Sequence, residues 1–142
     1  MPTRNATAVW EGGLQTGKGS LHAGSGAFSG SYSFASRFQE GQGTNPEELI
    51  AAAHAGCLSM ALSAGLERAG TPAQRVETKA ACTVEKVGDA FRITKMQLTV
   101  RGRVAGLTQE QFAAAAENAK NGCPVSNALK GNVEFLLDAS LE

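Results

Sequence analysis

Five side chains in this sequence have the types and spacing to do chemistry together: Cys57, Cys123, His54, Arg37 and Glu47. Cys123 directly precedes Pro124 at a predicted helix start, where unpaired N–H groups and the helix dipole stabilise a thiolate. Cys57 lies in a long run without charged side chains. Apolar burial there raises a thiol's pKa and keeps it neutral, so Cys57 needs a cation to become a nucleophile. His54, three residues earlier, shares a helix face with Cys57 and could form a Cys–His nucleophile pair; alternatively it is a satisfied core histidine. Arg37 lies ten residues before Glu47 across a glycine-rich loop. A guanidinium fork bound to that carboxylate would be held in place; the alternative is a surface arginine near an acidic helix start.

Helix geometry constrains how these groups combine. Glu47 and Cys57 are ten residues apart, about 15 Å of rise and roughly 80° out of phase on one straight helix, so they cannot share a site within it. If both serve one site, the solution is a symmetric dimer with two such helices antiparallel, one chain's Arg37 and Glu47 approaching the other's Cys57. The small residues of the helix would permit that approach.

The elements that must position these groups read as α+β, with sheets around one apolar helix. Residues 4–11, 19–23 and 32–38 have strand patterns, the last alternating aromatic and small residues. Asn45-Pro46-Glu47-Glu48 is a helix start, with an N-cap, Pro at the first position and an acid three residues past the cap. The helix runs to about Ala69, before Gly70-Thr71-Pro72. Eighteen residues from Leu49 to Leu66 lack a charged side chain, the length of a membrane span. Only six are large and apolar, so a helix wrapped by protein on nearly all sides is expected instead. Alternation over 76–84 and 90–104 gives two long strands, with an apolar phase shift near Thr94-Lys95 that predicts a bulge. Thr108 to Gln111 is a capping box opening a helix to about Asn121, followed by a short helix from Pro124 to Lys130 and a last strand over 133–141.

Other readings are excluded. Gly12 to Lys18 fits a phosphate-binding loop only until Gly19, where a Ser or Thr should hold magnesium, and no helix is predicted to follow; a hairpin turn is expected. His22, His54 and three dispersed cysteines have no metal-ligand spacing, so neither metal nor cofactor is expected. Cys82 lies on the apolar face of a strand and is expected to be a core residue. Thirteen basic and thirteen acidic residues give zero formal charge, so nucleic acid is not an expected partner. The 142 residues suit one domain, 1–142. Three cysteines that cannot all pair and lack the spacing of a secreted disulfide framework, and the absence of an apolar segment after Met1-Pro2-Thr3-Arg4-Asn5, point to the cytoplasm, with no membrane partner.

Arg37-Phe38, then Gly43 to Cys57 (Gly-Thr-Asn-Pro-Glu-Glu-Leu-Ile-Ala-Ala-Ala-His-Ala-Gly-Cys), then Gly122-Cys123-Pro124-Val125-Ser126 resemble the OsmC/Ohr family of osmotically inducible and organic hydroperoxide resistance proteins. Val9-Trp10-Glu11-Gly12, Gly17-Lys18-Gly19 and Ile93-Thr94-Lys95 extend the likeness over essentially the whole chain, and His54 with Cys-Pro-Val-Ser resembles the OsmC branch. The resemblance implies an intertwined homodimer and a stress-response, thiol-dependent peroxidase that reduces organic hydroperoxides. It implies Cys57 as peroxidatic cysteine, Cys123 as resolving cysteine, Arg37 and Glu47 at the active site, and a dithiol reductant of dihydrolipoyl type. An apolar approach to the site would favour alkyl hydroperoxides over hydrogen peroxide. The alternatives are a non-enzymatic binding or structural dimer with incidental thiols, and Cys57–His54 acyl transfer.

Overall fold

The computed structural model describes residues 1–142, which fall into two compact units, residues 1–49 and 50–142. In the first unit β1 (Ala6–Glu11), β2 (Lys18–Ala23) and β3 (Ser29–Tyr32) form an antiparallel sheet in that order. The Gly12–Gly17 segment joins β1 to β2, with the Gly17 N–H donating to Gly13 O at 2.8 Å. The expected hairpin turn is therefore what the near match to a phosphate loop encodes.

Residues 32–38 do not form the single strand that their alternation predicts. β3 ends at Tyr32, and α1 (Phe34–Phe38) follows. Ser33 and Ser36 cap each other's backbone, at 3.1 Å and 2.8 Å, and this local bonding outweighs the strand-like pattern. Gly43, at φ +114°, then lets the chain turn so that Thr44 N–H reaches Ser31 O at 2.9 Å. α2 (Pro46–Arg68) opens here, its Glu48 N–H capped by Asn45 Oδ1 at 2.7 Å.

The second unit has a mixed sheet ordered β4 (Arg75–Val87), β5 (Ala90–Arg103), β6 (Glu134–Leu141). β4 and β5 are antiparallel, and the pairing skips Thr94 between Val84↔Ile93 and Thr83↔Lys95, which is the bulge that the phase shift predicts. β6 returns parallel to β5 after a crossover through α3 (Gln109–Gly122) and α4 (Pro124–Leu129). The α3 capping box is complete, with Thr108 and Gln111 bonding each other's backbone at 3.1 Å and 3.0 Å.

The core of this unit joins Ala51, Leu58, Leu62 and Leu66 of α2, Met96, Leu98 and Val100 of β5, and Phe112, Ala116 and Ala119 of α3. Cys82 packs against it from β4, as its strand face predicts. On α2 the i, i+4 recurrence of leucines makes one buried stripe, so α2 is a core helix along that stripe. Within one chain the cover of α2 stops at that stripe. Ala52, Ala53, Gly56, Met60 and Ser63 form an exposed, uncharged face, because the leucines are confined to one side and a single chain covers only that side.

One close approach fixes the α3 position. A Cβ at Gly102 of β5 would collide with the ring of Phe112, which is fully buried. Gly102→Ala is expected to lower stability by about 1–3 kcal/mol through overpacking, read as a reduced urea midpoint at unchanged m.

Candidate active site

In the first unit, Arg37 and Glu47 meet, which is one of the two arrangements that their spacing leaves open. Ser36 Oγ donates to Thr44 O at 2.7 Å and Asn45 Nδ2 donates to Ser36 O at 2.9 Å, fastening α1 to the start of α2. With both helix ends held, the Arg37 fork engages one carboxylate: Nε at 3.1 and 3.3 Å from its two oxygens, and Nη2 at 2.8 Å. Glu47 is 4% exposed and the Arg37 side chain 37%. A buried acid thus holds a partly exposed guanidinium in a fixed orientation, which favours preorganised anion binding over a mobile surface charge.

In the second unit, two cysteines 66 positions apart in the sequence converge. Cys57, half-buried on α2, and Cys123, fully buried at the junction of α3 and α4, place their sulfurs 2.9 Å apart, and both are thiols. Burial pushes the Cys57 thiol up, and its hydrogen bond with Cys123 adds to that against the Val125 N–H. No cation acts on it, which is the condition in which the sequence leaves it. At Cys123 burial also pushes upward, but the polar groups of Cys57, Ser126 and Val125 around it outweigh that and lower the pKa.

His54 is fully buried, and its Nε2 lies 2.7 Å from Ser126 Oγ. Its ring meets Phe135 edge-on at 5.3 Å. The hydrogen bond places His54 on Ser126, giving it a partner in the core. Ser126 is the residue whose role the sequence leaves unassigned, although it stands in the Cys-Pro-Val-Ser motif. The Ser33/Ser36 pair that orients α1 also goes unpredicted, since neither serine is the Glu or Gln of a capping box. A cleft of about 790 Å³ lies elsewhere in this unit, lined by small residues of α2 and α3 such as Ala61, Ala64 and Ala115, and by none of Arg37, Glu47, Cys57 or Cys123.

Comparison with known proteins matches residues 39–138 to the family model described as OsmC-like protein. The chain belongs to the OsmC-like family. Among OsmC-like relatives it is 42% identical over 140 residues to the peroxiredoxin OsmC of Escherichia coli strain K12, covering 98% of this chain and 96% of that one. It is 32% identical over 98 residues to the organic hydroperoxide resistance protein OhrA of Bacillus subtilis strain 168, covering 68% and 67%. The fold agrees with these likenesses. An organic hydroperoxide resistance protein from Elizabethkingia anophelis, crystallised with thiocyanate bound, superposes with a TM-score of 0.80 at 26% identity over 100% of this chain and 98% of that one. The OhrB protein of Bacillus subtilis does so with a TM-score of 0.70 at 24% identity, covering 96% and 98%. The OsmC-like match encloses Glu47, His54, Cys57, Cys123 and Ser126, and Arg37 lies just before it.

Proposed function

We propose that this OsmC-like chain is a cytoplasmic, thiol-dependent peroxidase that reduces organic hydroperoxides, and hydrogen peroxide less readily, with a dithiol of dihydrolipoyl type as reductant. The observation that carries this reading is the 2.9 Å approach of a half-buried Cys57 to a fully buried Cys123. A peroxide can reach the first sulfur, and the second is already within bonding reach of it. The names of the relatives, peroxiredoxin OsmC and organic hydroperoxide resistance protein, support the same chemistry.

The Cys57 thiolate attacks the distal peroxide oxygen, the O–O bond breaks, and the alkoxide takes a proton and leaves as alcohol. Cys57 is now a sulfenic acid. Cys123 sulfur attacks it, an S–S bond forms as the S–O bond breaks, and the hydroxide leaves with the Cys123 proton as water. The dithiol then reduces the disulfide, taking its own oxidation and returning two thiols. Arg37, held by Glu47, supplies the positive charge that Cys57 lacks. In the homodimer that charge comes from the second copy, which also covers the exposed small-residue face of α2, and the two sites are equivalent by symmetry.

The test is consumption of cumene hydroperoxide and of hydrogen peroxide with dihydrolipoamide, together with intact mass after brief peroxide treatment without reductant. Turnover and the loss of two hydrogens per chain are expected, with cumene hydroperoxide the better substrate. No turnover with any of several dithiols, and unchanged mass, would overturn the peroxidase reading in favour of a binding dimer. Equal rates with both peroxides would overturn the alkyl preference alone.

A further inference from the structure

His54 is a buried titratable side chain that the proposed chemistry leaves unused. It is fully buried on α2, and its only hydrogen-bond partner is Ser126 Oγ at 2.7 Å. Its other ring nitrogen, Nδ1, is buried without a partner. A neutral imidazole carries one proton. On Nε2 that proton is satisfied by Ser126, and Nδ1 is left with a bare lone pair. This is the cheaper orphan, as under-satisfied acceptors are commoner than orphaned N–H groups in protein interiors.

A second proton has no such place. The imidazolium donates from both nitrogens, so Nδ1–H would be a buried donor without an acceptor, on a buried charge that needs a counter-ion. The elements on the ring supply neither. α4 carries no acidic or basic residue, and the thiol of Cys123 stands at its cap. β6 brings Phe135 edge-on at 5.3 Å, while its Glu134 and Asp138 alternate to the exposed side, as does Lys95 beside Met96 of β5. On α2 the neighbours one turn away are Ile50, Leu58 and the thiol of Cys57. Burial accordingly lowers the ring's pKa, with no charged group contributing. Ser126 is also the one buried residue of the six in α4. Its bond to His54 is therefore the buried attachment of α4 to α2, and α4 begins at Cys123, whose sulfur lies 2.9 Å from that of Cys57.

We propose that the His54–Ser126 contact is an acid-sensitive latch: when the His54 ring takes up a second proton, α4 is released from α2, and Cys123 leaves its buried place beside Cys57. The sign follows from linkage. With α4 released, His54 meets water and titrates near the ordinary value of about 6.5; with α4 docked it titrates lower. The docked state is at full strength above about pH 6.5. It weakens as pH falls through that value towards the docked ring's own, by up to about tenfold in the opening constant per pH unit. The latch is shut at neutral pH, and acid parts the two thiols. The inference concerns where Cys123 sits, and holds whether or not the pair reduces peroxides.

Two measurements on the full-length reduced protein test this. The first is hydrogen exchange of the α4 amides between about pH 7.5 and about pH 5.5, each rate divided by that of an unstructured peptide at the same pH. The second is capture of Cys123 by dithiodipyridine, a reagent that reacts with thiols in acid, in a Cys57→Ala background. Wild-type α4 is expected to lose about tenfold in protection over that range, the linkage expected for a group of pKa about 6.5 when open and well below it when docked. His54→Gln, whose amide N–H can still donate to Ser126 and which does not titrate, should keep the neutral-pH protection and show no acid loss. His54→Phe should lose the pH dependence whatever its own baseline. The Cys123 capture rate, taken as the ratio of His54 protein to His54→Gln in the same background, should rise about tenfold in step with exchange.

A merely structural role for His54 would change protection in the variants at every pH and leave the wild type without an acid-dependent step; that result overturns the proposal. So does an acid loss of equal size in wild type and His54→Gln, which would assign it to other groups. An acid loss shared equally by the amides of β5 and α3 is general unfolding, and overturns the latch as well. Failure of wild type to consume peroxide defeats the peroxidase reading alone, since neither exchange nor Cys123 capture involves peroxide.

Discussion

Cys57→Ser is expected to reduce dithiol-dependent hydroperoxide consumption to the rate of the dithiol alone, a loss on the order of 10³-fold or more on the scale of enzymic accelerations. The alternative that makes this more than a formality is inside the thiol pair itself. With the sulfurs 2.9 Å apart, either could in principle attack and either resolve. Burial pushes the Cys57 thiol up, while the surroundings of Cys123 lower its own, which by acidity alone would make Cys123 the attacking thiol. Access decides the other way. Cys123 has no exposed surface, whereas Cys57 is half-buried, so a peroxide meets Cys57 first. The contrast is read by assaying Cys123→Ser in parallel: it should form a sulfenate on Cys57 with one equivalent of peroxide and give no intramolecular disulfide. If instead Cys57→Ser still consumes peroxide and Cys123→Ser forms no sulfenate, the two roles are reversed and acidity has outweighed access.

The parts of this arrangement that were legible in the sequence are those set by local chemistry. Asn45-Pro46-Glu47 announces the start of α2, and the capping box at Thr108 announces α3, because a cap depends on three or four neighbouring residues. The bulge at Thr94 was legible for a similar reason: a side-chain period of two cannot change phase without an extra residue. Opposite charges across a short loop leave the Arg37–Glu47 pair and a surface arginine equally open in the sequence; the bonds of Ser36 and Asn45 that fasten α1 to α2 decide for the pair. Residues 33–38 depart from the strand that aromatic–small alternation suggests, because two serines that cap each other favour a helical turn. The His54–Ser126 bond joins residues 72 positions apart; it depends on how α2 and α4 pack, and no local pattern encodes it. The exposed face of α2 was hidden for a different reason. A run of Ala, Gly and Ser is compatible with burial by this chain or by another copy, and composition does not separate the two.

That face bears on the second large effect, which concerns where the cation at Cys57 comes from. A thiol at the usual pKa of about 8.5 is roughly 3% ionised at pH 7, and the Cys57 environment pushes it higher still. A guanidinium close to the sulfur favours the thiolate against that burial, so Arg37→Ala is expected to slow sulfenate formation by about tenfold or more at neutral pH. The sign follows from the chemistry: the loss is greatest below the raised thiol pKa and shrinks as pH rises through it, where Cys57 ionises without help. Ten residues of helix separate Glu47 from Cys57, about 15 Å of rise, so the Arg37 held by Glu47 should serve the other chain's cysteine. Mixing distinguishes the two geometries. Cys57→Ser and Arg37→Ala chains, each nearly inactive alone, are unfolded together and refolded as a mixture. If sites are shared, every mixed dimer contains one site with an intact Cys57 from the second variant and an intact Arg37 from the first. Random pairing makes half the dimers mixed and restores about a quarter of the wild-type sites. If each site is built within one chain, no combination restores any, and the mixture stays as inactive as its components. Turnover near a quarter of wild type, appearing only after co-refolding, would therefore place Arg37 opposite the partner's thiol and make the homodimer the smallest active unit.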